Sequence, residues 1–264
     1  MNYFLESCCT SAADAVSAQR FGARRIELCS RLEIGGVTPS ESLIRATLLA
    51  LAEDSITAVR HSGLDLSRHS GPDLSRHSGP DLSRHSGLDP ESLPFFPAVP
   101  IPVNVLVRPR GGDFVFTDDE IRQTIADIGM CKRLCVRDSS GRELRVNGVV
   151  VGALQADGGI DMAAMRRLVA AARPLQVTFH RAFDECSGVE RGLEDVIALG
   201  CERLLTSGHE PDAFAGRFTL ARLIRQAAGR IVIMAGCGVR PHNIAAIASV
   251  SSAPEFHSST LTGW

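Results

Sequence analysis

The feature that most constrains this sequence is a regular alternation of short apolar segments with longer segments of helical periodicity. Eight segments have the composition of β-strands, and helical patterns separate successive ones. Such alternation predicts a parallel sheet, and eight repeats favour a closed barrel over an open doubly wound sheet. No predicted strand leads into a G-x-G-x-x-G turn, which argues against a dinucleotide-binding sheet. We therefore expect a TIM-like (βα)8 barrel, with residues 1–264 forming one domain.

The end of the chain departs from a complete barrel. The last predicted strand is PEFHSS, and the sequence stops shortly afterwards at Trp264. A complete barrel of this type continues into an eighth helix, so we expect the final helix to be lacking. The apolar surface left uncovered can drive association of two or more copies of the chain, so a homo-oligomer is one expectation.

Two segments do not fit the alternation. Residues 55–98 form a tandem repeat insert, in which a unit of the type RHSGxDxS occurs four times between residues 60 and 91. Each copy holds too few apolar residues to offset its ordering entropy, so the insert is predicted to be disordered. Its recurring histidines would give the alternative of a metal-binding tract, but a flexible chain holds no preformed ligand geometry. The second segment, residues 135–146, is polar and is interpreted as a lengthened loop.

Composition excludes several functional classes. The net charge is −2, so no overall basic field attracts nucleic acid or an anionic membrane surface. No apolar run approaches the about 18 residues of a membrane-spanning helix, and the N-terminus lacks the features of a signal peptide. The 8 cysteines are scattered and include no C-x-x-C pair. This pattern favours reduced thiols and a cytoplasmic location.

Candidate ligands lie where the predicted strands end, because barrel sites form at the carboxyl ends of the strands. Strand alternation places Glu6 and Cys8 on one face of the first strand, and Glu27 and Cys29 on one face of the second. Two thiolates suit Cu(I), a soft ion that accepts few ligands. Buried free cysteines are more often small apolar side chains, and spacing alone favours that alternative. Cys9 has the opposite parity and is the weaker candidate.

A second group of candidates follows the third predicted strand in RPRGGDF. Arg108 and Arg110 offer forked donors for a carboxylate or phosphate, and Asp113 could orient one of them. The alternative is an internal Arg–Asp network that closes the barrel mouth. Three polar groups at one strand end give the ligand-binding interpretation a modest advantage.

Further candidates follow the fifth to eighth predicted strands. His180 is a candidate general base or metal ligand, with Asp184 beside it, although a structural His180–Asp184 hydrogen bond is the alternative. His257 on the eighth strand is a similar candidate. Two glycine-containing turns precede helical patterns, so their N–H groups could bind a small anion. The turn residues concerned are Ser207, Gly208, Gly236 and Gly238.

Several longer strings carry a family resemblance. They are RRIELCS, GGVTPS, RPRGGDF, GVVVGALQADGGID, VTFHRAFD, LLTSG, IMAGCGV and EFHSS. Together and in this order they resemble the CutC family. The resemblance implies a cytoplasmic TIM-like barrel assigned to copper homeostasis, with copper binding as its usual property. It does not settle the biochemical activity.

Two functions from different classes follow. The first is copper homeostasis of the CutC type, with Cu(I) bound through Cys8 and Cys29 at the barrel mouth. The alternative is an enzyme acting on a small anionic or phosphorylated substrate, with proton transfer by Glu6, Glu27, His180 and Asp184. A copper carrier depends on both thiols and tolerates loss of His180, whereas the enzyme should show the reverse.

Overall fold

The protein, described here as a computed structural model, is an α/β barrel. The structure describes residues 3–61 and 99–259. Its strands are β1 (Phe4–Cys9), β2 (Arg25–Leu28), β3 (Val103–Leu106), β4 (Cys135–Arg137), β5 (Glu143–Arg145), β6 (Gly148–Val151), β7 (Gln176–Phe179), β8 (Arg203–Thr206), β9 (Val232–Ala235) and β10 (Glu255–Ser258). Its helices are α1 (Ala12–Arg20), α2 (Glu41–His61), α3 (Asp118–Arg133), α4 (Met162–Ala172), α5 (Val189–Ala198), α6 (Arg217–Ala227) and α7 (Ile244–Ser251).

Eight of the strands close into a parallel barrel. The order around it is β1-β10-β9-β8-β7-β6-β3-β2, and every neighbouring pair is parallel. This arrangement confirms the predicted TIM-like fold. Closure between β1 and β10 sets Glu6 opposite His257, and the β1–β2 register sets Cys8 opposite Glu27. Side chains far apart in sequence therefore meet inside the barrel.

The main core lies between the strands and the surrounding helices. Val149, Val177 and Leu204 are fully buried on the outward faces of their strands, within one continuous apolar cluster. Burying a side chain of this size contributes about 1.5–3 kcal/mol. Helix α3 begins at a capping box, in which Thr117 accepts from the Glu120 N–H and the Glu120 side chain accepts from the Thr117 N–H. Apolar strand residues and helix caps of this kind are the local signals by which the sequence predicts the alternation of strands and helices.

Two regions differ from the sequence-based expectation. Helix α2 continues to His61, so helix occupies the first residues of the predicted 55–98 insert. Most of the predicted insert, residues 62–98, lies outside the described residues, so its predicted disorder stays a prediction. Residues 135–146, interpreted as a lengthened loop, contain the antiparallel hairpin β4–β5 instead. Cross-strand pairing of residues at both ends of the segment satisfies backbone groups that a plain loop would leave to solvent.

The described part of the chain has seven helices around the barrel, and none follows β10 within the residues described up to Ser259. None of the helices within residues 3–61 and 99–259 has the length and continuous hydrophobicity needed to cross a bilayer.

Candidate functional site

A cavity of about 990 Å³ opens at the carboxyl ends of the barrel strands. Six of the residues predicted from the sequence line it: Cys8, Glu27, Arg108, His180, Asp184 and Gly238. His257, the further candidate, also lines it. The volume is in the range typical of small-molecule sites, about 300–1,000 Å³.

The two predicted thiols lie together beside this cavity, which Cys8 lines. The Cys8 and Cys29 sulfur atoms are 3.4 Å apart, and both residues are buried in a small apolar cluster with Leu106 and Val150. The hydrogen bond with Cys29, burial and the nearby Glu27 together raise the pKa of the Cys8 thiol well above its ordinary value. The thiol therefore keeps its proton at neutral pH, and a metal ion binding there would displace it.

Cys8 also belongs to a second group of potential ligands. One donor atom each from Cys8, Glu27 and His257 lie within 4.8 Å of one another. Burial raises the pKa of Glu27 to about 7, with a further increase from Glu6, although the nearby His257 opposes it. The Oε2 atom of Glu27 is buried and has no hydrogen-bond partner. Glu27 can therefore change protonation state near neutral pH.

Glu6 lies behind this group in a charged network. The His257 ring contacts Glu6 through Nδ1 at 2.8 Å, and Arg25 forms ion pairs with both Glu6 and Glu255. Burial raises the pKa of Glu6, but the His257 hydrogen bond and the Arg25 charge outweigh it and lower the value to about 2. Burial lowers the pKa of His257, but the negative charges of Glu27 and Glu6 outweigh it and raise the value. Glu6 thus holds His257 in place and does not line the cavity itself.

Arg108 is the predicted arginine that reaches the cavity. Its guanidinium donates to the carbonyl oxygens of Gly35 at 3.2 Å, Gly36 at 3.4 Å and Gly112. It also lies 4.4 Å from the centre of the Phe114 ring, a favourable cation–π contact. The Nε atom is buried without a partner.

Arg110 and Asp113 lie outside the cavity lining. They pair with each other at 2.9 Å, and Arg110 also pairs with Glu120 at the start of α3. The Arg110–Asp113 pair is partly exposed, and together with the Glu120 pair it secures the loop to the helix. The structure therefore separates the two arginines of the RPRGGDF string.

His180 is held as a neutral ring. Its Nδ1 accepts a hydrogen bond from the Ala182 N–H at 3.1 Å, and its buried Nε2 has no partner. Burial and the Arg108 charge lower its pKa to about 3. A Cβ atom at Gly152 would lie 2.5 Å from Nδ1, so the ring's position requires glycine there. The structural His180–Asp184 hydrogen bond that the sequence offered as an alternative does not form.

Asp184 follows β7, and its carboxylate reaches the turn that follows β8. Its carboxylate accepts from the Thr206 hydroxyl and from the N–H groups of Ser207 at 3.0 Å and His209 at 3.4 Å. It also pairs with Arg181 at 2.8 Å. The amides that the sequence suggested for anion binding at Ser207 therefore already donate to a carboxylate.

The remaining turn candidates stabilise the barrel rim. The Gly208 N–H donates to the Thr206 hydroxyl at 2.9 Å, and the Gly236 N–H donates to the Thr206 carbonyl at 3.0 Å. A Cβ atom at Gly236 would lie 2.4 Å from Leu205, so close strand packing accounts for that glycine. Gly238, with φ of 69°, is the residue of this set that borders the cavity.

Sequence reasoning missed Arg25, Glu255 and Phe114. A signal existed for the first two, since strand alternation puts Arg25 on the face of Glu27, and Glu255 on that of His257. Their pairing depends on barrel closure between β1 and β10 and could not be read locally. Phe114 lies in a loop and had no comparable signal.

Comparisons with known proteins agree with this fold. The CutC family model matches residues 3–60 and 92–262. A family protein CutC of Parabacteroides distasonis is 39% identical over 259 residues, covering 98% of this chain and 83% of that protein. One of Histophilus somni is 38% identical, covering 98% of this chain and 82% of the relative. Among solved structures, a CutC protein of Streptococcus agalactiae, named for copper homeostasis, aligns with a TM-score of 0.72 and 24% identity, covering 98% of this chain and 100% of its own. On the family match and the identity to curated relatives, this chain belongs to the CutC family.

Proposed function

We propose that this protein binds Cu(I) as a cargo ion through Cys8 and Cys29, beside the barrel cavity that Cys8 lines. The observation that carries the proposal is the 3.4 Å separation of the two sulfur atoms. Family membership supports testing copper first, since the Streptococcus agalactiae CutC is named for copper homeostasis.

The donor set suits a soft ion. Thiolates select Cu(I) over hard cations, and the apolar neighbours Leu106 and Val150 exclude water from the sulfur pair. Glu27 and His257 lie beside Cys8 and supply further donors if the ion needs a third ligand. The same side chains could together approximate a four-ligand Zn²⁺ site, so Zn²⁺ is the appropriate competitor.

Binding should release protons, because the Cys8 thiol is protonated at neutral pH. Apparent Cu(I) affinity is therefore expected to increase as pH increases. Glu27, with a pKa of about 7, has an oxygen within 4.8 Å of the Cys8 sulfur and can accept a released proton.

The test is a titration of reduced protein with Cu(I) against a competing chelator. The Cys8→Ser/Cys29→Ser double variant should lose tight one-site binding. Cys9→Ser is the matched control, since Cys9 is a buried cysteine on the same strand whose side chain packs into the outer core. All variants must first show the melting profile of the unaltered protein. Binding that survives in the double variant, or a preference for Zn²⁺, would refute the proposal.

A second candidate is an enzyme acting on a small anionic or phosphorylated substrate. It is favoured by the cavity volume and by Glu27, a buried acid that can exchange a proton near neutral pH. In that case Glu27 is the expected proton-transfer group and His257, held by Glu6, its neighbour. Activity that survives the double cysteine substitution but is lost in Glu27→Gln would favour this function.

A further inference from the structure

Three buried polar atoms with no hydrogen-bond partner belong to residues that line the cavity. They are Glu27 Oε2, Arg108 Nε and His180 Nε2. Buried polar groups in proteins are paired in roughly 90% or more of cases, so an unpaired set around one cavity needs an explanation. All three residues are 5% exposed, which leaves little access to bulk water. A bound molecule is the simplest partner for them.

The two unpaired nitrogens are both hydrogen-bond donors. Arg108 Nε always carries a hydrogen. His180 Nδ1 accepts from the Ala182 N–H, so the neutral ring carries its proton on Nε2. The Phe114 ring contacts both side chains, with its centre 4.4 Å from the Arg108 guanidinium carbon and 5.0 Å from the His180 ring centre. The two unpaired donors therefore belong to cavity-lining side chains that contact the same aromatic ring.

The positive charge of Arg108 also lacks a partner. None of the ion pairs formed within residues 3–61 and 99–259 involves Arg108, and its terminal nitrogens contact only carbonyl oxygens. Glu185 borders the same cavity but is exposed and forms no ion pair with Arg108. Glu185 and Asp113 act on the Arg108 charge without pairing with it, and a buried charge without an ion-pair partner is costly, which favours an anionic ligand.

We propose that Arg108 and His180 form a subsite that binds the carboxylate of a small organic acid. Its oxygens accept from Arg108 Nε–H and His180 Nε2–H, and the Phe114 ring packs against its carbon chain. A carboxylate is preferred to a phosphate dianion because Asp184, Glu185 and Glu210 also border the cavity and repel a second negative charge. The subsite lies at the ends of β3 and β7.

This inference has two separable parts. The claim that the organic acid is the substrate rests on the second candidate function. The claim that the subsite binds a carboxylate depends on neither catalysis nor copper. The Cys8→Ser/Cys29→Ser variant should therefore retain it. Loss of copper binding and loss of carboxylate binding are thus distinguishable results.

The experiment follows the His180 ring by NMR in reduced, metal-free, isotope-labelled protein at pH 7. Acetate and inorganic phosphate are the probes, each titrated at constant ionic strength. We expect acetate to shift the His180 Nε2 signal saturably, and phosphate to bind at least tenfold more weakly. In a variant that lacks the His180 ring, changes in the Phe114 and Ala182 signals report acetate binding instead.

Matched substitutions decide between a built subsite and general electrostatic attraction. Arg108→Gln should weaken acetate binding at least tenfold, whereas Arg110→Gln, which removes a neighbouring arginine outside the cavity, should leave it unchanged. His180→Phe keeps an aromatic ring against Phe114 but removes the donor, so it should also weaken acetate binding. It replaces Arg108→Gln as the test if Arg108→Gln does not fold. The absence of saturable acetate binding, tighter binding of phosphate, or equal losses in both arginine variants would overturn the proposal.

Discussion

The buried Arg25 network makes a quantitative prediction. Arg25 is 1% exposed and pairs with Glu6 and Glu255, which are themselves buried. Replacing it with Met keeps much of the side-chain volume but removes one cation from two buried carboxylates, which leaves His257 as the partner of Glu6 and Arg203 as the partner of Glu255. Loss of one partner from a buried ion pair costs about 3–5 kcal/mol. We expect Arg25→Met to lower the free energy of unfolding by that amount at pH 7.

The lowered pKa of Glu6 gives a second value for the free energy of unfolding that this network contributes, and it predicts how that contribution depends on pH. The value is lowered from 4.5 to about 2, and at about 1.4 kcal/mol per unit this corresponds to about 3 kcal/mol, shared between Arg25 and His257. Because the folded-state pKa is depressed, this stability is present above pH 4.5 and is lost as the pH falls towards 2. In Arg25→Met the folded-state pKa rises, so the difference between the two proteins should shrink as the medium becomes acidic.

Urea unfolding at pH 7, 5 and 4 is the assay, with the m-value checked for two-state behaviour. Arg122→Met is the matched control, because Arg122 pairs with Asp119 on an exposed helix face. Such surface pairs contribute about 0–1 kcal/mol. A loss below about 1 kcal/mol for Arg25→Met, or a loss that does not change with pH, would refute the reasoning.

Three further predictions concern single residues. The pKa of Glu27 is raised to about 7, so the folded state loses stability as pH rises from 4.5 to 7. Glu27→Gln should therefore stabilise the protein by up to about 3 kcal/mol at pH 8 and by little at pH 4.5, as measured by urea unfolding. In an NMR titration His180 should remain neutral from pH 8 to 5, while His257 should gain its proton above pH 6.5; protonation of His180 near pH 6 would contradict its burial. Thr117→Ala removes the cap of α3 and should cost about 1 kcal/mol in urea unfolding, and an unchanged midpoint would show that the capping box contributes nothing.

Strand alternation made part of the site predictable. Glu6 and Cys8 were assigned to one face, and Glu27 and Cys29 to another, because neighbouring inward positions differ by two residues. The structure places Cys8 and Cys29 in contact across adjacent strands. Spacing alone could not give their distance, which depends on the register of β1 and β2.

Other parts of the site depend on long-range geometry. His257 reaches Glu6 and Cys8 because the last barrel strand closes against the first. Asp184 was grouped with His180 by sequence proximity, yet a turn directs its carboxylate to the end of β8. Hydrogen bonds of this kind link residues on different strands, and no local pattern specifies them.

The central claim, a Cu(I) site at the thiol pair, is tested most directly by copper X-ray absorption spectroscopy of the protein loaded with one equivalent of Cu(I). The account predicts a first shell dominated by sulfur in the unaltered protein and in Cys9→Ser, and loss of that sulfur shell in Cys8→Ser/Cys29→Ser. A first shell of nitrogen and oxygen only in the unaltered protein, or a sulfur shell that persists in the double variant, would contradict it.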